Sequence, residues 1–429
     1  MTTCTRRLGF ALAMGVVLLT TPDALSAQWA VKPLGFLNMS TTGTFVSDAR
    51  GVNSSGQVVG MSHDANGNWQ AFITGPDGTG MTGLGFLNTG TTGSFYSSAM
   101  GVNEVGQVVG ASHDGNGNAQ AFMTGPDGTG MRGLGFLNTG TTGKYMSNAL
   151  GINASGQVVG ESYDSNGNSQ AFVTGANGAG MRGLGFLNTG TTGEFFSAAM
   201  GINESGQVVG YSYDSEYAVN VPRPDGTPVS RYYQAFVTGP NAVGMTGLGF
   251  INPPSANLFI SNAAGINASG QVAGSSAGYN NWSQAFFHDL SGGMRGLGHL
   301  NAGSEGYRES WGRGINASGQ VVGENWSSNF GQQGFITGAN GIGMFSLGDL
   351  LGSNGLIGWS IESAAAISDN GYVAAFGYNT STGIAPQALL IRIGEIPSTN
   401  VPEPASLTLM ASGLLALGVV ARRRRIEQR

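Results

Sequence analysis

Three loops spaced by fifty residues place carboxylate and amide oxygens in alternation, a pattern suited to cation binding. They begin at Asp64, Asp114 and Asp164 and end at Asn68, Asn118 and Asn168. Hard cations such as calcium take oxygen ligands of this kind. The twelfth position counted from Asp64 is Gly75, however, where an EF-hand loop needs a glutamate. Because aspartate and asparagine also shape turns, we favour that interpretation and assign no metal site. We therefore predict no cofactor, with Ca²⁺ as the alternative.

Aromatic residues occupy the corresponding loops further along the chain. They are Tyr279, Trp282, Trp326 and Phe330. Aromatic side chains beside amides can hold sugars, although packing between elements is their commoner role. The candidate binding residues are therefore Asp64, Asp114, Asp164, Trp282 and Trp326.

Sequence patterns typical of catalytic sites lack their structural context in this chain. Ser62-His63-Asp64 is a run of neighbours, and along a strand such side chains alternate between two faces. A Ser-His-Asp relay is a spatial arrangement, so this tripeptide and its copy at Ser112 do not predict one. The stretch 274–278 has nucleophile-elbow spacing and 78–83 has dinucleotide-loop spacing, but no helical pattern follows either. We assign no catalytic residue and expect a protein that is not an enzyme.

The composition excludes several classes of protein. Charged residues are 10% of the chain, against a usual ~25%. Removing residues 1–27 and those after 404 takes away seven of the 18 basic and two of the 24 acidic residues. The remaining body carries 11 positive and 22 negative charges, a net charge of about −11, which argues against nucleic acid as a partner. The only cysteine is Cys4, so disulfides and thiolate metal sites are excluded.

The body repeats one unit of about fifty residues seven times. Six copies of Gly-Ile/Val-Asn begin at Gly51, Gly101, Gly151, Gly201, Gly265 and Gly314. A seventh, degenerate copy begins at Ala366. Within the second unit, four strands are predicted at 97–103, 107–112, 120–124 and 131–137. A tight hairpin at 103–106 and a Pro-Asp-Gly turn at 126–128 join them. Four short strands per repeat are typical of a β-propeller blade.

The incomplete first and last copies predict that the repeats close into a ring. The chain starts with a lone fourth strand at Val31–Leu37, whereas the last copy has three strands, ending near Ile393, and no fourth. Pairing the two would complete the seventh blade and remove an exposed sheet edge. The predicted fold is therefore all-β, a seven-bladed β-propeller of four-stranded blades over residues 28–396. A β-solenoid or open repeat array is the alternative.

Strand alternation sorts the loops onto two faces of such a propeller. The hairpin face has the short Asn-x-x-Gly hairpins and Pro-Asp-Gly turns. The loop-rich face has the loops that begin at Asp64 and its copies, the longer crossovers such as 88–97, and one large insertion at 215–232. Functional residues tend to lie in variable loops over a rigid scaffold, so we place the binding site on the loop-rich face.

Both chain ends have the features of export signals. Residues 1–27 combine a basic start, an apolar run and small residues at a cleavage point, as in a secretory signal peptide. A linker at 397–404 ends in Pro402, Glu403 and Pro404. The apolar stretch 405–421 predicts a transmembrane helix, and the basic tail 422–429 would stay in the cytoplasm. The tail begins with Arg422, Arg423, Arg424 and Arg425.

This C-terminal arrangement resembles the PEP-CTERM sorting tail of Gram-negative bacteria. The resemblance implies that an exosortase recognises Pro402, Glu403 and Pro404 and removes the tail. It also implies only transient contact with the inner membrane, through the C-terminal helix. The host would be an exopolysaccharide-producing, biofilm-forming bacterium, with the protein secreted or displayed at its surface.

The repeat units resemble the HAF repeats of bacterial extracellular proteins. The matching residues are Leu-Gly, then Gly-Ile-Asn-x-x-Gly-Gln-Val-Val-Gly, then Gln-Ala-Phe, in seven copies over 31–393. The family is named for His-Ala-Phe, and every copy here has glutamine in place of that histidine. The resemblance therefore implies an extracellular location and no particular chemistry.

Two functions from different classes follow. The favoured one is a non-catalytic surface or biofilm-matrix protein whose propeller binds exopolysaccharide or an envelope protein; a spacer without a ligand is a weaker variant. The alternative is an extracellular glycan hydrolase or lyase that uses carboxylates on the loop-rich face. That alternative needs a cleft with two carboxylates about 5–9.5 Å apart.

Overall fold

The computed structural model describes residues 28–37, 45–140, 143–187, 195–214, 233–251, 260–277, 282–289, 292–300 and 306–396. The predicted leader, sorting motif, transmembrane helix and basic tail lie outside these residues, as do Tyr279 and the insertion 215–232. Within the described ranges, no helix has the length and apolar character needed to cross a membrane.

Blade one shows how the sequence builds each sheet. Its strands, in order across the sheet, are β2 (Ser47–Val52), β3 (Val58–His63), β4 (Trp69–Gly75) and β5 (Thr79–Gly83). The β2–β3 hairpin turns at Gly56, whose φ is 76°, and the β4–β5 turn has Asp77 at a φ of 51°. Both values lie in the left-handed region, which glycine adopts freely and aspartate or asparagine tolerates. The predicted hairpin and turn positions are confirmed.

Blades two to five repeat this order. Blades two and three comprise β6 (Ser97–Val102), β7 (Val108–His113), β8 (Ala119–Met123), β9 (Arg132–Gly135), β10 (Ser147–Ile152), β11 (Val158–Tyr163), β12 (Ser169–Thr174) and β13 (Met181–Gly185). Blades four and five comprise β14 (Ser197–Ile202), β15 (Val208–Tyr213), β16 (Tyr233–Gly239), β17 (Val243–Gly249), β18 (Ser261–Ile266), β19 (Val272–Ala277), β20 (Ser283–Asp289) and β21 (Gly293–Gly298). All pairings are antiparallel, and in blade two the outer strand is shorter than predicted.

Blade six departs from the repeat at its outer strand. It comprises β22 (Arg308–Ile315), β23 (Val321–Ser327), β24 (Gly331–Ile336) and β25 (Phe345–Ser346), followed by α1 (Leu347–Ser353). The fourth strand is only two residues long, because the Ser346 side chain accepts a hydrogen bond from Asp349 N and caps a helix there. Leu347, with Leu350 and Leu351, then fills the apolar core that blades six and seven share.

The N-terminal strand closes the ring. Blade seven is made of β26 (Trp359–Ile367), β27 (Tyr372–Asn379), β28 (Ile384–Arg392) and β1 (Ala30–Pro33). Ala30 lies opposite Arg392 and Lys32 opposite Leu390, and Trp29 is buried beside them. Blade seven also reaches blade one, since the Tyr372 hydroxyl donates to the Asp77 carboxylate. The predicted closure is confirmed, and the alternative of a solenoid or open array is wrong.

Neighbouring blades share small apolar cores. Between blades one and two, Phe122 packs on Val59 and Ala71. The phenylalanine of this repeat position is fully buried in six blades, as Phe72, Phe122, Phe172, Phe236, Phe286 and Phe335. A Cβ added at Gly110 would lie 2.9 Å from the Phe122 ring and 2.0 Å from Ser98 O. The glycine of Gln-Val-Val-Gly is therefore required by close packing.

Asparagine side chains join the blades at the hairpin side of the axial channel. Asn153 Nδ2 donates to Asn203 O of the next blade at 3.2 Å and to Gln157 Oε1 at 2.9 Å. Its Oδ1 accepts from Gln157 N at 3.0 Å. The same bond between blades is made by Asn53, Asn103, Asn203 and Asn267. We call these side chains the asparagine ladder.

Buried serines join the blades at the other end of the first strands. Ser147 Oγ donates to Gly135 O at 2.7 Å and accepts from Ala121 N at 2.8 Å, both in the preceding blade. Ala121 N is available because the pairing register shifts between Ala121 and Phe122. The Ser-x-Ala-x-Gly strands are thus innermost, with their serines bonded to the previous blade.

The asparagine ladder predicts a specific loss of stability. Replacing Asn153 by Ala leaves Gln157 N without its side-chain acceptor and removes the buried bond to Asn203 O, which keeps only its bond from Gly206 N. We expect a loss of about 2–4 kcal/mol in the free energy of unfolding, measured by urea denaturation. Asn166→Ala is the control, because that side chain is exposed in a loop turn. Equal urea midpoints for Asn153→Ala and Asn166→Ala would contradict the role of the asparagine ladder.

Ring closure predicts an effect of deleting the N-terminal strand. Without residues 28–33, β28 becomes an exposed edge and the Trp29 side chain no longer covers the blade-seven core. We expect a lower melting temperature and an association that increases with protein concentration. Light scattering would measure this association. Deletion of 397–429, which removes no described contact, is the control and should leave the melting temperature unchanged.

Candidate functional site

Ring-bearing side chains recur at one position on the loop-rich face, directly after the serine that ends the second strand. They are His63, His113, Tyr163, Tyr213 and, after Asn325, Trp326. The serine points inward: Ser62 Oγ accepts from Leu37 N at 3.1 Å, and Ser112 Oγ accepts from Leu87 N at 3.0 Å. Strand alternation then turns the following residue to the other side. We call the five residues the aromatic rim.

Each member of the rim lies against a different local partner. His63 stacks on Trp69, with ring centroids 3.9 Å apart. His113 Nδ1 is 2.7 Å from Ser94 Oγ. Tyr163 lies under the ammonium group of Lys144, 5.3 Å from the ring centroid. A recurring position with changing neighbours provides related but unequal contact sites around the ring.

The most exposed member of the rim, Trp326, belongs to an aromatic cluster between blades five and six that also contains Trp282 and Tyr307. The Tyr307 ring centroid is 5.5 Å from that of Trp282 and 5.2 Å from that of Trp326, in edge-to-face arrangements. Tyr307 is 42% and Trp326 37% exposed. The structure therefore brings the two predicted tryptophans together through Tyr307, which the sequence analysis missed. The alternation of Tyr307 and Glu309 at the start of a first strand was the available signal.

A carboxylate borders this aromatic cluster. Glu309 accepts hydrogen bonds from the Tyr307 hydroxyl and, at 3.2 Å, from Ser283 N of blade five. The bond to Glu309 raises the pKa of Tyr307 to about 12, with burial and the negative charge of Glu309 adding to the effect. The phenol consequently stays protonated as a donor at neutral pH.

Polar side chains continue from the cluster towards the axis. Glu324 lies two residues before Trp326 on the same face of β23. It accepts hydrogen bonds from Arg313, at 3.2 Å from Nε, and from Gln332 Nε2 at 2.6 Å. The surface thus passes from exposed aromatic rings to an ordered set of charged and amide groups.

Blade four carries a second group of rings that the sequence analysis also missed. Phe196, Tyr211 and Tyr233 lie within 5.5–5.7 Å of one another by centroid distance. Burial raises the pKa of Tyr211 to about 12, and the neighbouring carboxylate of Glu161 adds to the shift. Glu161 itself accepts from Ser169 Oγ at 3.0 Å.

The three predicted loop aspartates do not come together. Asp64, Asp114 and Asp164 lie in blades one, two and three, and each closes its own turn. Asp64 Oδ1 accepts from Asn66 N and Asn68 N at 2.9 Å, and the other two copies have the same bonds. Over the described ranges, no three His, Cys, Asp or Glu side chains cluster as a metal site would require.

The hairpin face is built differently. Basic side chains from outer strands donate to backbone oxygens of the next blade's turn. Arg132 Nη2 reaches Asn177 O, Arg182 Nη2 reaches Asn241 O at 2.9 Å, and Lys32 Nζ reaches Asp77 O at 2.8 Å. The hairpin face is therefore regular and occupied by contacts between blades, and the predicted sorting of loops onto two faces is confirmed.

Comparison with protein families identifies the C-terminal segment. Residues 400–425 match the PEP-CTERM protein-sorting motif. The chain is therefore a β-propeller protein sorted by an exosortase, and the motif indicates an exported, cell-surface protein. No curated protein matches the chain.

Solved structures share the fold at low identity. A puromycin-hydrolysing peptidase of Mycobacterium tuberculosis is 10% identical, with a TM-score of 0.50 over 87% of this chain and 56% of that one. A puromycin hydrolase is 14% identical, with a TM-score of 0.48 over 85% and 55%. An oligogalacturonate lyase from Vibrio parahaemolyticus is 9% identical, with a TM-score of 0.41 over 86% and 98%. The chain spans about half of the length of the first two proteins, and the likeness extends to the fold alone.

The bond between Tyr307 and Glu309 predicts a change in titration. In the Glu309→Gln variant, the pKa of Tyr307 should fall from about 12 towards the ordinary value of about 10, because the negative acceptor is gone. NMR of ring-labelled tyrosine would follow the ionisation, with Tyr307→Phe assigning the signal. An unchanged titration of that signal in the Gln variant would contradict the assignment.

Proposed function

We propose that this protein is a non-catalytic component of the cell surface or biofilm matrix whose propeller binds exopolysaccharide through the loop-rich face. An envelope protein is the other partner that this face would suit. The observation that carries the proposal is the exposed aromatic cluster of Trp282, Tyr307 and Trp326 beside the Glu309 carboxylate.

This chemistry fits a sugar polymer. The C–H faces of pyranose rings are apolar and pack on aromatic rings, whereas hydroxyl groups need acceptors and donors at the edge of the contact. Glu309 supplies an acceptor, and Gln332, near the cluster, adds an amide. Because the aromatic rim repeats around the ring, one polymer could meet several weak sites, and linked weak sites bind with higher avidity than any one of them.

The points where the chain enters and leaves the propeller also support the loop-rich face as the binding surface. Because β1 pairs antiparallel with β28, the chain enters and leaves the propeller at the hairpin face. Pro402 is the sixth residue after Ile396, a reach of about 20 Å. We infer that 1–27 is a removed leader and that 405–421 spans the membrane until exosortase acts, with Arg422 and the following residues in the cytoplasm. The hairpin face then lies towards the membrane and the aromatic rim points away from it.

The resemblance of the repeats to HAF repeats agrees with this location. Those repeats occur in bacterial extracellular proteins, and the sorting tail suggests a biofilm-forming host. Calcium remains a proposal for the three aspartate loops, where it would have to compete with the backbone N–H groups that now occupy each carboxylate.

A glycan hydrolase or lyase is the second candidate, favoured by one observation. Glu309 pairs with Trp326 across the sheet, and Glu324 lies two residues from Trp326 on the same face. Such diagonal neighbours are about 7–8 Å apart, within the range that glycosidases use. Release of reducing ends from the host polysaccharide, abolished by Glu309→Gln and Glu324→Gln, would support this alternative over the first.

Substitutions in the aromatic cluster test the binding proposal. We expect Trp326→Ala and Tyr307→Ala each to weaken retention on immobilised host exopolysaccharide about tenfold, because loss of one stacked ring removes about 1–2 kcal/mol. Val105→Ala is the matched control, since Val105 is 55% exposed on the hairpin face. Retention would be measured over a range of salt concentrations, with and without calcium. Wild-type protein that is never retained would refute polysaccharide binding.

A further inference from the structure

The inner strands place one variable side chain per blade in the axial channel. The residues at this repeat position are Arg50, Met100, Leu150, Met200, Ala264, Arg313 and Ala365. The residues before and after it are alanine or glycine in every blade, because neighbouring blades pack there. The side chain that enters the channel is therefore not restricted to alanine or glycine by packing between blades.

The channel is a cavity of about 540 Å³. At the hairpin end of the first strands, every blade contributes a β-branched side chain to its lining, namely Val52, Val102, Ile152, Ile202, Ile266, Ile315 and Ile367. The variable position lies on the side of this collar nearer the loop-rich face. Small-molecule sites usually have volumes of about 300–1,000 Å³, so the cavity has a suitable size.

The two halves of the cavity differ in chemistry. Blades two, three and four line one half with Met100, Leu150 and Met200, which are apolar. On the other half, Arg50 of blade one and Arg313 of blade six flank the small side chains of blade seven. Asp48 and Glu324 also line this half and form ion pairs with Arg50 and Arg313, so the cavity has one apolar half and one half with balanced charges.

The guanidinium group of Arg50 makes one of its hydrogen bonds to a weak acceptor. Its Nε is 3.1 Å from Asp48 Oδ2, which fixes the side chain. Its Nη1 lies 3.0 Å from the thioether sulfur of Met100, a weak acceptor. A guanidinium presents paired N–H groups that match the two oxygens of a carboxylate. A ligand carboxylate would replace the sulfur with a much stronger acceptor.

We propose that the axial channel binds a small monocarboxylate with an apolar body. Its carboxylate accepts hydrogen bonds from the terminal nitrogens of Arg50, in place of the Met100 sulfur. Its apolar part lies against Met100, Leu150 and Met200. Glu324 lines this channel and lies two residues from Trp326 of the aromatic cluster, but the contacts proposed for the carboxylate and the apolar body do not involve the cluster.

Octanoate is the probe, titrated into the purified protein by isothermal calorimetry. We expect binding with one site per chain. Octanol has the same apolar body without the charge and should bind at least about tenfold more weakly, because it lacks the bidentate charged contact. Arg50→Gln should weaken octanoate binding by a similar factor, and Leu150→Asn should weaken it by reducing apolar contact.

Arg132→Gln is the matched control, since Arg132 is a basic residue on the hairpin face outside the cavity. The Arg132→Gln variant should bind octanoate with the same affinity as the wild type. Melting temperatures of all variants show whether each is folded. Absence of octanoate binding to wild-type protein overturns the site. Equal binding of octanol, or unchanged binding by folded Arg50→Gln, overturns the role given to the arginine.

Discussion

The hydrogen bond from each ladder asparagine to the backbone of the next blade is the constraint on which the rest of the structure depends. Single four-stranded sheets of this size bury little apolar surface alone, so blades are stable only as neighbours. The asparagine sets the spacing at one end of the first strand, and the buried serine sets it at the other. Between these two points the backbones approach so closely that alanine and glycine are required.

The same contacts explain why the two faces differ. On the hairpin face, basic side chains and turn backbones are paired from blade to blade, so substitution there would disturb the ring. On the loop-rich face, the inward serine or Asn325 is held by the neighbouring crossover. The following position is therefore open to histidine, tyrosine or tryptophan. Variation concentrates where the packing does not require a particular residue, both on the aromatic rim and in the axial channel.

Closure by the N-terminal strand links the fold to the location of the protein. Both chain ends meet in blade seven, so the segment that carries the sorting motif leaves from the hairpin face. A tether at this face leaves the loop-rich face accessible. The architecture thus separates the surface used during sorting from the surface that we propose for ligand binding.

The sequence by itself determined the number of blades, the order of strands, ring closure, the two faces and the sorting motif, because repeats and strand alternation are local patterns. Asp64, Asp114 and Asp164 were recognisable as turn formers for the same reason. The helix at Leu347 was missed although its Ser346 cap is local. Only the tertiary structure showed that Tyr307 joins Trp282 to Trp326 and that Arg50 and Arg313 line one half of the channel. Such contacts cross blade boundaries, and the curvature of the whole ring decides which distant side chains meet.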